Sequence, residues 1–507
     1  MSTMILSATT FGIEGRQVKV EADTQFGLPN FMIVGLPDTA VQEARERVRS
    51  AIKTAGFEFY RHKITINLAP ADLKKAGPGF DLPIALALLV QTNQLPAELC
   101  EGIYFIGELG LDSSLRPVRG ALALARTAKH TKARFCVVPK ANGPEAALVE
   151  GLKVIAPNSL PELIGHLTKT KILNPEKGAK PKSAVENDGM DFAYIRGQAQ
   201  AKRAMEIAAA GGHNVLLIGP PGSGKTMLAR SLPSILPELT YPEALEVTTI
   251  HSIGGILPAD APLQLSRPFR TPHHTTSTVA LVGGGSTPKP GEVSLAHNGV
   301  LYLDELPEFP RQALEALRQP LEDGLVTVSR AAQTLQFPAR FTLIASQNPC
   351  PCGFRGDPKR NCLCTPANLL KYERKISGPL LDRIDLYIQV ARQNFKTLRI
   401  DGEPAESSAE IRQRVLAARK IQDSRFKKEK ISSNSQMSQK LVTRHSQIEA
   451  ASQVLLQQAV DQMHLSARGY VRVLKVARTI ADLEGSEKIE LKHIAEALQY
   501  RNQPYVN

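Results

Sequence analysis

Residues 215–232 read VLLIGPPGSGKTMLARSL, and the fold turns on them. VLLI is an apolar run suited to a buried strand. Gly219, Pro220, Pro221, Gly222, Ser223, Gly224, Lys225 and Thr226 fit G-x-x-x-x-G-K-[ST], and a helical pattern begins at Met227. Glycines let successive backbone N–H groups turn inward around phosphate oxygens, at a helix start that already favours an anion. Lys225 is placed to reach the β- and γ-phosphates of a nucleotide and Thr226 to hold Mg²⁺. Met227 completes the expected binding set.

Other stretches extend this. Residues 299–305, GVLYLDE, put an acidic pair at the end of a second apolar run. In open α/β sheets ligands bind beyond the carboxyl ends of the strands. Asp304 is therefore expected in the Mg²⁺ shell and Glu305 beside an attacking water, which points to hydrolysis. Residues 341–348, FTLIASQN, end a third strand on Asn348, whose amide would sit between that acidic pair and the γ-phosphate. GPLLDRID, 378–385, places Arg383 just before a fourth strand. There it either reaches a neighbouring copy's nucleotide or pairs with Asp382 or Asp385. Ser466-Ala-Arg468 opens a late helix, where Arg468, or Arg472 one turn on, could sense the γ-phosphate.

At 507 residues the chain calls for two or three domains. Before residue 168, apolar runs such as FMIVGL and KITINLA alternate with helical patterns, an α+β unit. Residues 168–190, rich in Lys, Pro and Gly, suggest a linker. Residues 191–403 carry the α/β core, and 404–507 hold only amphipathic helices. With 42% hydrophobic and 22% charged residues the composition is that of a globular protein, and no apolar run is long enough for a bilayer. Six cysteines in this length are no disulfide scaffold, so a reducing cytoplasm is the expected location. The net charge of +13 favours polyanions, but equally suits a generally basic protein. With no Trp and 5% aromatics, phosphate contacts are expected before base stacking.

GQAQAKRAMEIAAAGGHNVLLIGPPGSGKTMLAR, FRTPHHTTSTVALVGGGSTPKPGEVSLAHNGVLYLDELPEF and SGPLLDRIDL together resemble AAA+ ATPases of the magnesium-chelatase-like branch, and the ComM/YifB family over nearly the whole chain. The resemblance implies an AAA+ P-loop core with a C-terminal helical lid. It casts Asn348 as sensor 1, Arg383 as arginine finger and Arg468 as sensor 2. It also implies a homohexamer and an ATP-dependent helicase driving branch migration of DNA during recombination and natural transformation. A magnesium-chelatase-type subunit and a protein-remodelling ATPase are the alternatives. AGPGFDLPIALALL and the stretch from GELGLDSSLRPVRG look like a Lon-protease-like (ribosomal S5 domain 2-like) domain over 1–167. The family's serine position falls on Gly79 and its lysine position near Leu122, and without nucleophile and base that domain cannot run acyl transfer. Lys74 and Lys75 lie nearby without a partner serine.

Between the phosphate loop and GVLYLDE lies an insertion, about 251–295, rich in Gly, Pro, Thr and His and without obvious period. Arg270, His273, His274 and Lys289 are its candidate DNA-phosphate contacts. The adjacent histidines are expected to diverge, which argues against a metal there. VTVSRAAQTLQFPARFTLIA reads as a hairpin, with Arg330 near its turn either facing a pore or merely solvated. Finally NPCPCGFRGDPKRNCLC, 348–364, carries Cys350, Cys352, Cys362 and Cys364. Four thiolates on a short loop suit structural Zn²⁺, with reduced thiols and disulfides as alternatives. Lys359 and Arg360 stand at its tip, available to DNA or a neighbouring copy.

Overall fold

A computed structural model describes residues 3–60, 62–178, 190–258, 261–285, 288–330, 333–357, 360–393, 405–429 and 431–501. The chain forms an N-terminal mixed sheet with helices, a parallel α/β core and a C-terminal set of helices. Lys359 lies outside the described residues, as does the side chain of Arg330.

In the N-terminal unit a seven-stranded sheet runs, in spatial order, Asn30–Val34, Lys63–Ala69, Glu14–Gln25, Thr3–Phe11, Ile103–Phe105, Phe135–Val137 and Val154–Ile155. Glu14–Gln25 shows why it is a strand: Val18, Val20 and Ala22 alternate inward, with polar residues between them. The helix Asp81–Gln91, apolar on nearly every face, is buried against this sheet. Gly79 lies in the short turn leading into that helix, facing Val118 and Ile106. Leu122 is buried, as is Lys75, whose ammonium donates to the Pro70 carbonyl.

Residues 168–178, expected to be linker, instead lie along this unit. Leu173 packs on its core, Glu176 N–H donates to Val154 O at 2.9 Å, and the Glu176 carboxylate pairs with Lys140. One leucine, two ion pairs (Lys140–Glu176 and Lys171–Glu162) and a few hydrogen bonds dock a stretch whose composition is that of a loop.

The second sheet is wholly parallel. Its order is Phe269–Arg270, Val300–Leu303, Thr342–Gln347, Val215–Ile218, Leu386–Gln389. Three of its strands are almost uniformly buried, which explains their unbroken apolar runs: helices cover both faces. The strand before the phosphate loop sits between the Asn348 strand and the Leu386 strand, in register Val215↔Leu386 through Ile218↔Gln389.

C-terminal helices begin cleanly. Ser407 and Glu410 form a capping box for Ser408–Arg425, and Ser466 caps Ala467–Leu483. These helices share one apolar core with the helix Ala199–Gly211 and the sheet.

The 251–295 insertion has more structure than its composition suggests. Helix Tyr241–Gly254, boxed by Thr240 and Glu243, runs into it and stops at Gly255, φ +73. Phe269–Arg270 then joins the sheet, and Thr278–Val282 and Glu292–Leu295 are short helices. The expected hairpin is present as Leu325–Arg330 paired with Gln333–Pro338.

The two α/β units are also in contact. Leu122, Leu148 and Val149 form one apolar cluster with Leu239, Ala244 and Val247, and Gly120 N–H donates to Ser252 Oγ at 2.9 Å.

Candidate functional site

The phosphate loop follows the carboxyl end of Val215–Ile218, and Lys225 begins the helix Lys225–Ile235. Gly222 and Gly224 have φ of +74 and +93, and a Cβ on either would meet nothing within 4 Å, so both positions of the turn face open space. Lys225 is 9% exposed and donates to Gly219 O at 2.7 Å, Pro220 O at 3.0 Å and Asn348 Oδ1 at 3.3 Å. Burial pushes its ammonium below the ordinary lysine pKa, against the opposing pull of the Asp304 and Glu305 charges. Ser223 Oγ is buried with no hydrogen-bond partner among the described residues. An orphaned hydroxyl, an open glycine turn and a lysine resting on its own loop's carbonyls fit a polyphosphate.

Beside it, Thr226 Oγ1 lies 3.3 Å from Asp304 Oδ2 and 3.3 Å from Tyr302 OH. Ser346 Oγ donates to the other oxygen of Asp304. Hydroxyl and carboxylate in contact are the oxygen donors Mg²⁺ takes alongside a nucleotide's phosphates. Burial pushes the Tyr302 phenol up to about 12, so it stays protonated and able to donate. Glu305 has φ +52, a conformation rare outside glycine; it turns the exposed carboxylate out of the sheet, and its N–H donates to Asp304 Oδ1 at 3.1 Å. His274 Nδ1 is 3.8 Å from Glu305 Oε2. The His273 and His274 rings do not diverge as expected: their centroids are 4.1 Å apart. Tyr372 OH donates to Asn348 O at 3.2 Å.

Arg468, expected to sense the γ-phosphate, does not lie in this cluster, and Arg383, expected to reach a neighbouring copy's nucleotide, lies away from it as well. Arg383 precedes Leu386–Gln389, at the amino end of the strands, whereas the phosphate loop follows their carboxyl end. A four-residue strand spans about 13 Å. Arg383 is 7% exposed; it donates to Pro379 O at 2.7 Å and pairs with Glu322, not with Asp382 or Asp385. Arg468 Nη2 lies 4.0 Å from the same Glu322. Arg472 is taken up by Asp385, which also lies 3.5 Å from His213 Nδ1. Burial alone would raise the Asp385 pKa; the Arg472 charge and the His213 hydrogen bond outweigh it and hold the carboxylate well below its ordinary range. Of the two rivals, Arg468 is therefore the accessible one.

Among the DNA candidates, Arg270 forms a two-point ion pair with Glu292 at 2.7 and 2.8 Å. His273 and Lys289 are exposed, and Lys289 stands on a two-residue strand paired with Gly283–Gly284. Tyr302, Ser346, Tyr372 and Glu322 were not singled out from the sequence. A tyrosine inside the VLYL strand beside the acidic pair was a usable signal for Tyr302; Glu322 carried none.

The family profiles described as "Magnesium chelatase, subunit ChlI", "Subunit ChlI of Mg-chelatase" and "Magnesium chelatase, subunit ChlI C-terminal" match residues 191–398, 20–142 and 405–501. The chain is 42% identical over 506 residues to "Competence protein ComM" of Haemophilus influenzae, covering 98% of this chain and 97% of that protein. It belongs to the magnesium-chelatase-like AAA+ family of ComM and YifB. YifB of Escherichia coli is likewise 42% identical, over 501 residues, with 98% and 97% covered. "Magnesium-chelatase 38 kDa subunit" of Cereibacter sphaeroides is 30% identical over 175 residues, 31% of this chain and 52% of that one. Membership of this AAA+ family implies ATPase activity in general terms. Among the described residues no helix is long and apolar enough to cross a membrane.

Proposed function

We propose that this chain is the subunit of a cytoplasmic homohexamer that hydrolyses ATP and moves single-stranded or branched DNA, promoting branch migration in homologous recombination and natural transformation. The observation that carries the reading is the division of the ATPase parts. Lys225, Thr226, Asp304 and Asn348 gather at the carboxyl end of the sheet, while Arg383 sits at the amino end. A chain so built needs a second copy to bring Arg383 and Arg468 to a nucleotide. The bound Mg²⁺ would neutralise charge on the β- and γ-phosphates; Glu305 orients the attacking water, and Asn348 reads the γ-phosphate and passes its position to Lys225. A positioned arginine from the neighbour contributes about 10³–10⁵ in rate. Structural Zn²⁺ at the four cysteines completes the cofactor set.

For DNA, the support is likeness to a competence protein over nearly the whole length, the basic charge, and the exposed His273 and Lys289 of the insertion. Exchanging one matched base-pair step for another, each about 1.4 kcal/mol, is nearly neutral, so ATP supplies direction. The likeness to a magnesium-chelatase subunit favours a second reading, but it spans only half of that subunit. An assay on three- and four-stranded junctions, with Lys225→Ala and Glu305→Gln as controls, decides: ATP-dependent strand exchange is expected from the wild type alone. Junctions left intact while ATP is consumed would refute the DNA reading.

A further inference from the structure

The cysteine loop is a built cluster. The sulfurs of Cys350, Cys352, Cys362 and Cys364 all lie within 4.8 Å of one another. Cys350 Sγ is 3.3 Å from Cys352 Sγ and 3.7 Å from Cys362 Sγ, and Cys352 to Cys362 is 3.6 Å. Four sulfurs about 2.3 Å from a tetrahedral zinc stand about 3.8 Å apart, whereas a disulfide requires about 2.05 Å. All four are free thiols, at the spacing of a coordination cage. The Arg355 N–H points at Cys350 Sγ, 3.3 Å away, as an outer contact that supports a metal-bound thiolate.

The loop also touches the nucleotide site at two places. Gly353, φ +82, lies against the phosphate loop: a Cβ there would be 2.8 Å from Pro221 Cδ and 3.1 Å from Cγ. Cys350 is two residues beyond Asn348. Past Cys364, the helix Pro366–Glu373 returns Tyr372 to the Asn348 carbonyl, and Arg355 pairs with Glu373 at 3.0 Å. Between Asn348 and that helix the described backbone forms neither helix nor strand. Holding such a segment in one shape costs conformational entropy that no ladder of backbone hydrogen bonds offsets.

We infer that Cys350, Cys352, Cys362 and Cys364 bind one Zn²⁺ in a closed four-thiolate site, which fixes Asn348 and Pro221 in position for nucleotide turnover. Binding exchanges one Zn²⁺ for four thiol protons with no electron transfer, leaving a site of net charge −2. With every coordination position filled by sulfur, the metal activates no water. The cysteines and Gly353 are positioning residues, and this coupling, unlike the metal site itself, rests on the ATPase reading above.

Elemental analysis of the purified full chain tests the metal. About one zinc per chain is expected in the wild type and none in Cys350→Ser/Cys364→Ser. If that variant does not fold, stripping wild-type zinc with a chelator, with the melting temperature falling and recovering on added Zn²⁺, reads the same property. Gly353→Ala tests the coupling: it keeps the zinc, while its new Cβ meets Pro221. Its kcat for ATP should fall by up to about 100-fold, with a smaller change in KM. Absence of zinc, iron in its place, or a disulfide among these cysteines overturns the metal site. Zinc in the wild type with unchanged turnover in both Gly353→Ala and the stripped chain overturns the coupling. A wild type that holds zinc yet hydrolyses no ATP overturns the coupling and the ATPase reading together, and supports the metal site.

Discussion

At the carboxyl end of the parallel sheet, Lys225, Thr226, Asp304, Ser346 and Asn348 already hold one another. At the amino end, Arg383 and Arg468 converge instead on Glu322, a residue on the rim with a half-exposed side chain. The first set is joined by contacts among its own members. The second is held by a counter-ion that a phosphate could replace. The difference teaches that the motifs of such an ATPase name its parts without saying which end of the sheet each will serve.

Arg383→Ala should do most to this comparison. Turnover is expected to fall by about 10³–10⁵ while nucleotide binding to the chain persists. Mixed with Lys225→Ala chains it should regain part of the activity, since each variant then supplies what the other lacks. Steady-state ATPase assays of the separate and mixed chains check this, and full activity in Arg383→Ala alone would erase the distinction between the two ends.

Arg472→Ala comes next, because it leaves Asp385 buried without its strongest partner. Loss of one member of a buried pair costs about 3–5 kcal/mol in denaturant unfolding. Asp385 has a depressed pKa in the fold, so its contribution is present above the unfolded carboxylate value of about 4 and is lost as pH falls through the lower folded value. The gap between variant and wild type should therefore be full at neutral pH and narrow only in acid.

Glu322→Gln is expected to matter least. Its side chain is 55% exposed, and Gln keeps an acceptor oxygen for the buried Arg383 guanidinium. Turnover should stay within about threefold of wild type, because the hydrogen bond that holds Arg383 is kept. A large loss would mean that Glu322 aims Arg383 and does more than hold it.

Much of this was open to inspection in the chain itself. VLLI, GVLY and FTLIA declare buried parallel strands, because only a sheet covered on both faces tolerates unbroken apolar runs. Glycines before Lys225 declare the phosphate turn. Contacts between residues far apart in sequence were closed to such inspection. Glu322 meets Arg383 across 61 positions, Ser252 meets Gly120 across 132, and Gly353 meets Pro221 with the same number between them. Each depends on how loops fold back, which periodicity does not encode. Arg270 shows the same limit: its type suggested DNA phosphate, yet Glu292, in the same insertion, takes both ends of its guanidinium.

The junction at Gly120 and Ser252 makes the N-terminal unit a counterweight rather than a passenger. Helix Tyr241–Gly254 is packed against that unit and precedes, in sequence, the segment bearing His273 and Lys289. On the proposed motor function, a displacement of that segment would load the helix and, through it, the N-terminal unit. Chain continuity aside, the two units are already joined by that packing and by the Gly120–Ser252 hydrogen bond.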